Sequence, residues 1–241
     1  MITEAVIGGA LALAAIFNDS TPLSINPTVP QEVQLGGTFD NLISQPLVLA
    51  EHSLDLATRL SNTEANQVFV DNILLTLRYL KGDVGDLRVD KGKLATGNID
   101  WEKAREPFEA SLTLNPGEVF AYHDAVLPGY RSLPIKTTNA HYMLKEGFKP
   151  LSGLPGNGVC HLASLINWVA TDAGLEVVAK VNHDFYPVPG VPRINGTSIR
   201  YAPDGSNNSF NQNLYIKNQF DTPITFNFKA DGENVVMQIT K

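Results

Sequence analysis

The apolar positions of the chain fall into two textures, helical in the first third and strand-like afterwards. The chain opens with an uncharged apolar run, Ala5 to Phe17, too short to span a bilayer. Its length suits the core of a signal peptide, but Glu4 precedes it and no Lys or Arg does, so a buried small-residue helix is the competing reading. Residues 20–37 carry three prolines and a Gly pair and read as a linker. Two patterns with three- and four-residue apolar steps come next. The first takes in Leu42, Ile43, Leu47, Leu49, Leu54, Leu56, Ala57 and Leu60. The second takes in Ala65, Val68, Phe69, Asn72, Ile73, Leu75, Leu77 and Leu80 and ends at Gly82. Ser61-Asn62-Thr63 separates them, which predicts an antiparallel helical hairpin.

Beyond the Gly- and charge-rich stretch 82–97, short β-type runs appear at Glu118–Tyr122, Leu175–Val181, Thr197–Tyr201, Leu214–Asn218, Ile224–Lys229 and Asn234–Ile239. One helix interrupts them, Cys160 to Ala173, between Gly158 and Gly174. Helices followed by strands predict an α+β fold: an N-terminal helical hairpin, then a mainly antiparallel β domain with one central Cys-bearing helix. The organisation expected is an apolar segment 1–19, a linker 20–37, a helical region 38–97 and a second domain from 98 to 241.

Composition narrows the chemistry. Eighteen Lys and Arg against 25 Asp and Glu give a net charge of −7, which disfavours nucleic-acid binding. The single cysteine, Cys160, excludes an internal disulfide framework and any multi-Cys metal site. Five histidines, His52, His123, His141, His161 and His183, lack zinc-ligand spacing, and Gly153–Gly158 lacks the lysine of a phosphate loop. No metal or other cofactor is expected.

What remains is the thiol. The helix after Cys160 climbs about 20 Å at about 1.5 Å per residue. A strand from Leu175 to His183 returns roughly 26 Å at about 3.3 Å per residue. If the strand packs back along the helix, His183 reaches the level of Cys160. A cysteine in the first helical turn feels the positive end of the macrodipole, which favours thiolate, and an imidazole beside it would complete a nucleophilic pair. Asn195, twelve residues after His183, is placed to orient the imidazole, and Asp184 competes for that role unless the strand persists and turns it to the opposite face. Against this stand simpler readings: a lone Cys is most often packing, and Asn195-Gly196 is a common turn pair.

From Asn98 onward the chain resembles the VanW family, named from an accessory protein of vancomycin-resistance clusters. The resemblance rests on collinear motifs: Asn98-Ile99, Leu112 to Phe120, Pro128-Gly129-Tyr130, Gly156-Asn157-Gly158-Val159-Cys160, Ala173 to Val178, His183, Asn195 to Ile199, Leu214 to Asn218 and Pro223-Ile224. His161 stands where the family signature has Gln, and Asn195 where it has Asp. The resemblance implies a domain over 98–241 and a bacterial cell-envelope, peptidoglycan context, hence an extracytoplasmic or membrane-associated location. Its Cys–His–Asn order is similar to that of transglutaminase-like and papain-like cysteine enzymes. The function this implies is cysteine-dependent acyl transfer or amide hydrolysis on cell-wall peptides. Cys160 would be the nucleophile, His183 the base and Asn195 its orienter, with Gly158, His161, Tyr130 and Tyr186 as oxyanion or pocket candidates. The alternative is a non-catalytic envelope module that binds cell-wall peptide or glycopeptide in a groove lined by residues such as Tyr122, His123, Tyr130, Asn139, Tyr142 and Tyr186.

Overall fold

In the computed structural model, residues 45–89, 98–204, 206 and 208–241 are described. The N-terminal apolar run, the linker, the positions Leu42 and Ile43, and residues 90–97 of the connection lie outside them.

The architecture is α+β. In chain order the elements are β1 (Val48–Asp55), α1 (Thr63–Lys81), α2 (Trp101–Arg105), β2 (Phe108–Leu114), β3 (Val119–Ala121), β4 (Ile135–Thr137), β5 (Pro150–Leu151), β6 (Leu154–Pro155), α3 (Val159–Asp172), β7 (Glu176–Ala179), α4 (Asn208–Asn211), β8 (Leu214–Lys217), β9 (Ile224–Ala230) and β10 (Asn234–Thr240). One antiparallel sheet has the order β1-β10-β9-β2. A second has the order β4-β3-β8-β7, in which only the β3–β4 pair is parallel. β5 and β6 form a small hairpin.

The helical hairpin is corrected by this structure. The first of its two patterns holds strand β1, not a helix. From Ala50 to Leu54 the residues alternate, with Ala50, His52 and Leu54 turned inward and Glu51 and Ser53 outward. Period two is the strand period, and the leucine steps that suggested a helix are incidental to it. Register explains why the strand wins: His52 lies opposite Met237, which lies opposite Phe228, which lies opposite Ala110, so one inward row crosses the whole sheet. Residues Ser44–Lys241 are therefore one unit, and the described part of the 38–97 region shares its sheet and core with residues 98–241. The run Thr197–Tyr201 is not a strand but irregular chain. It is still tied to its neighbours, since Ser198 N–H donates to the Val181 carbonyl and Arg200 N–H to that of Gln212, both at 2.9 Å.

α3 is the central helix, packed on β1 and β10 of one sheet and on β7 and β8 of the other. Its inner positions Leu162, Leu165, Ile166 and Val169 are fully buried, each such side chain stabilising by about 1.5–3 kcal/mol. β1 is fastened to it where His52 stacks on Trp168, with ring centroids 3.5 Å apart, and bonds the Asp172 carboxylate at 2.6 Å.

α1 crosses the start of α3. It is capped by the Asn62 side chain, which accepts from Ala65 N–H, and it ends at Gly82 in the left-handed region. Its buried Asn72 side chain accepts from Lys149 N–H at 2.8 Å and donates to the carbonyls of Lys149 and Asn157, both at 2.9 Å. Beside it the fully buried Asp71 carboxylate takes a two-point bond from Arg105. Replacing Asn72 by Ala strands three main-chain groups, and a loss of about 3 kcal/mol is expected. Thermal unfolding should show it as a drop in Tm of roughly 6–12 °C. A Tm unchanged by Asn72→Ala would mean that the clamp holds nothing.

Candidate functional site

The loop before α3 is shaped by close approach to α1. Gly158, the N-cap of α3, has φ +102°, and a Cβ there would lie 2.5 Å from the Phe69 carbonyl oxygen, so only glycine fits. Two positions on, Cys160 opens into a groove of about 1030 Å³. The walls include Phe69, Tyr142, Leu154, Phe185, Tyr186 and Tyr201, and polar groups come from His141, Ser198, Arg200 and Gln212. Phe185 is 77 % exposed, and Leu154 and Tyr186 are also exposed, so the groove has an apolar rim.

Of the residues singled out from the sequence, Cys160, His183, Gly158, His161 and Tyr186 all line this groove. Asn195 and Tyr130 do not. Tyr130 packs on Tyr215 in a separate small cluster, with ring centroids 5.0 Å apart. Asn195 is buried in a short turn, where its carbonyl accepts from Asn167 Nδ2 at 3.0 Å and from the Thr197 hydroxyl at 3.2 Å. It thus fastens the chain to α3. Of the groove residues proposed for a binding module, Tyr142 and Tyr186 line it. Tyr122 and His123 are buried in the core, and Asn139 lies elsewhere on the surface. Sequence reasoning misses Phe69 and Tyr201: Phe69 reads as one more apolar step of a helix, and Tyr201 as the end of a strand.

The thiol sits differently from the expectation of a stabilised thiolate. Cys160 Sγ accepts from Ile199 N–H at 3.3 Å and faces the Ile199 carbonyl at 3.7 Å. It keeps some exposed surface, but burial pushes its pKa up to about 11, and the Ile199 amide offsets only part of that. The helix N-terminus does not win. The amide of His161, a candidate oxyanion donor, already donates to the Gly158 carbonyl at 2.9 Å.

His183 is buried beside Phe185, with ring centroids 4.2 Å apart. Its Nδ1 lies 2.7 Å from the Tyr186 carbonyl oxygen. A carbonyl only accepts, so Nδ1 carries a proton, and any lone pair of the ring lies on Nε2. The orienting role expected of Asn195 is filled by main chain. Among the described residues no hydrogen bond joins Cys160 to His183. The His161 ring stands 6.2 Å from that of His183 and edge-on to Phe69. Burial, then the charge of Arg59, then His183 push the His161 pKa down to about 3, so it is a neutral imidazole.

At another part of the groove, His141 bonds two carboxylates, Asp124 through Nε2 and Glu146 through Nδ1, both at 3.0 Å. These contacts raise its pKa although burial opposes them. Among the described residues no group of three or more His, Cys, Asp or Glu is arranged to hold a metal ion. Among the same residues no helix is long and apolar enough to cross a membrane.

Two sheets about one central helix, with a groove opening at that helix's first turn, define an α+β domain with a concave site of ligand size. The chain belongs to the VanW-like family: the family model described as VanW like protein matches residues 109–240, more than half of the sequence. No curated protein and no solved structure matches the chain.

The titrating groups set two expected outcomes. Iodoacetamide should label native Cys160 roughly two-hundredfold more slowly at pH 8 than the unfolded chain, whose thiol titrates near its usual value of about 8.5. The native rate should rise steadily towards pH 11, and a plateau near pH 8 would contradict the buried thiol. For His161, the unfolded chain takes up a proton near pH 6.5 that the folded chain refuses until about 3. Stability from this group is therefore full above about pH 6.5 and falls as pH drops towards 3. Urea unfolding of wild type and His161→Phe between pH 7 and 4 measures it, and the variant should lose less stability over that range.

Proposed function

We propose that the groove binds an extended peptide-type ligand of the bacterial cell envelope, a cell-wall peptide or glycopeptide, and recognises it without acylating Cys160. One observation carries the reading: the thiol is held on the main chain of Ile199 with its pKa pushed up to about 11, and no imidazole bonds it. A nucleophilic cysteine needs the opposite, an adjacent base or a depressed pKa. Aromatic and aliphatic walls with a few polar groups suit a ligand that alternates apolar and amide surface. The envelope context comes from the family, and with it an extracytoplasmic or membrane-associated location.

A second reading, cysteine acyl transfer, has its own observation. His183 shares the groove with Cys160, and its Nδ1 is held on the Tyr186 carbonyl. In that reaction the sulfur attacks an amide carbonyl and His183 takes the thiol proton. The amine then leaves with that proton, and water or a second amine resolves the thioester. Asn195 has no part in it.

The two separate in one experiment. Wild type and Cys160→Ala are incubated with soluble muropeptides, and both bound material and product masses are measured. The binding reading expects equal retention by the two proteins and unchanged masses. Product that forms with wild type and is lost in Cys160→Ala would overturn it in favour of acyl transfer.

A further inference from the structure

Several polar side chains that line the groove are engaged inside the protein. Tyr142, Asn157 and Cys160 bond main-chain groups, and His141 gives both ring nitrogens to the Asp124 and Glu146 carboxylates. The wall made by residues 198–201 and Gln212 is different. Ser198, Arg200, Tyr201 and Gln212 all line the groove, and among the described residues their side chains make no hydrogen bond. Arg200 is exposed and forms no ion pair among those residues. Among them it is also the one Lys, Arg, Asp or Glu that lines the groove, in a chain whose net charge is −7. The main chain of this wall is held at each step. Ser198 N–H donates to the Val181 carbonyl, Ile199 N–H to Cys160 Sγ, Arg200 N–H to the Gln212 carbonyl and Ala202 N–H to the Ser209 hydroxyl. A wall fixed in this way meets a ligand with its backbone already ordered.

We propose that this wall receives a carboxylate of the bound peptide, its two oxygens accepting from the Arg200 guanidinium, with Ser198 and Gln212 as neighbouring donors. This rests on the peptide-binding reading above and names the ligand group that the site selects. A guanidinium only donates, and its planar fork matches the two oxygens of a carboxylate with parallel bonds. A ligand ammonium would find no Asp or Glu on the groove and would meet a like charge. The chain as a whole repels acids, so a carboxylate is held only where a cation stands free of internal partners. The apolar rim at Leu154, Phe185 and Tyr186 then supplies contact area, and Arg200 supplies orientation.

The probes are synthetic cell-wall stem peptides in three forms: the free acid, a form amidated at the C-terminus alone, and a form amidated on the side-chain carboxyls alone. Each is passed over the immobilised full-length chain. Wild type should retain the free acid about tenfold better than at least one amidated form, as a two-point charged pair partly withdrawn from water allows. The form that loses retention shows whether the terminal or a side-chain carboxylate is bound. Arg200→Gln should retain all three forms alike, at the level of the weaker amide. That change removes a side chain without internal partners, so the fold is kept, and circular dichroism checks it. Arg200→Lys, which keeps the charge but not the fork, should recover part of the preference. Lys229→Gln removes an exposed cation of β9 outside the groove and should leave the preference intact. If it lowers the preference as much as Arg200→Gln does, the effect belongs to the charge of the whole chain and the assignment falls. Equal retention of the three forms by wild type, or a preference that survives Arg200→Gln, overturns the carboxylate assignment and leaves the groove reading standing. Retention of none of them overturns both.

Discussion

The constraint on which the site depends is the contact of α1 with the loop that starts α3. Asn72 holds Lys149 and Asn157 by three main-chain bonds, and Phe69 presses so closely on Gly158 that no side chain fits there. Three residues after Asn157 comes Cys160. Move α1 and the first turn of α3 loses both its fixed entry angle and one wall of its groove. The buried Asp71, tied to Arg105, keeps α1 itself in place. A buried polar side chain that meets all its bonds specifies one arrangement, because every shifted alternative leaves groups unpaired.

The position of the thiol shows two effects in competition. A helix N-terminus favours an anion by roughly 0.3–1 kcal/mol, less than the free energy of one pKa unit. Burial in a dense site shifts a thiol by more than that, and here it prevails over the backbone amides of Ile199 and Cys160 that offset it. Proximity to a helix start is therefore a weak guide to cysteine reactivity when the surroundings are apolar. Local dielectric decides.

This balance also explains which parts of the site are legible in the sequence. Glycines on either side of the 159–172 segment mark a helix with local signals, and the alternation in β9 and β10 is equally local. β1 escapes such a reading because its leucines fit both periods. What settles the matter is pairing with β10, Val48 opposite Thr240, a contact nearly the whole chain away. The Cys160–His183 register counts steps along an ideal strand, whereas β7 ends at Ala179 and irregular chain carries His183 to the groove it shares with Cys160. It carries no sign that Ile199 and Tyr186 supply main-chain partners, because a backbone carbonyl leaves no mark in residue type. Asn195 has the right spacing for an orienter, yet its carbonyl, not its amide, proves useful, as a fastening to Asn167.

The physical unit and the family-matched unit also differ, and the difference bears on function. The match begins at residue 109, yet the groove takes Leu60 and Phe69 from before it, and the first sheet takes β1. Arg59 lies in the same preceding stretch, and it is the charge of Arg59, after burial, that keeps His161 unprotonated. The groove residue next to the cysteine is thus tuned from outside the matched region. A chain that shared residues 109–240 but carried a different segment before them would lose the α1 contacts that fix the entry of α3. It would present a groove with another wall and another charge beneath it, so ligand choice within such an architecture can be set by the segment that precedes the shared domain.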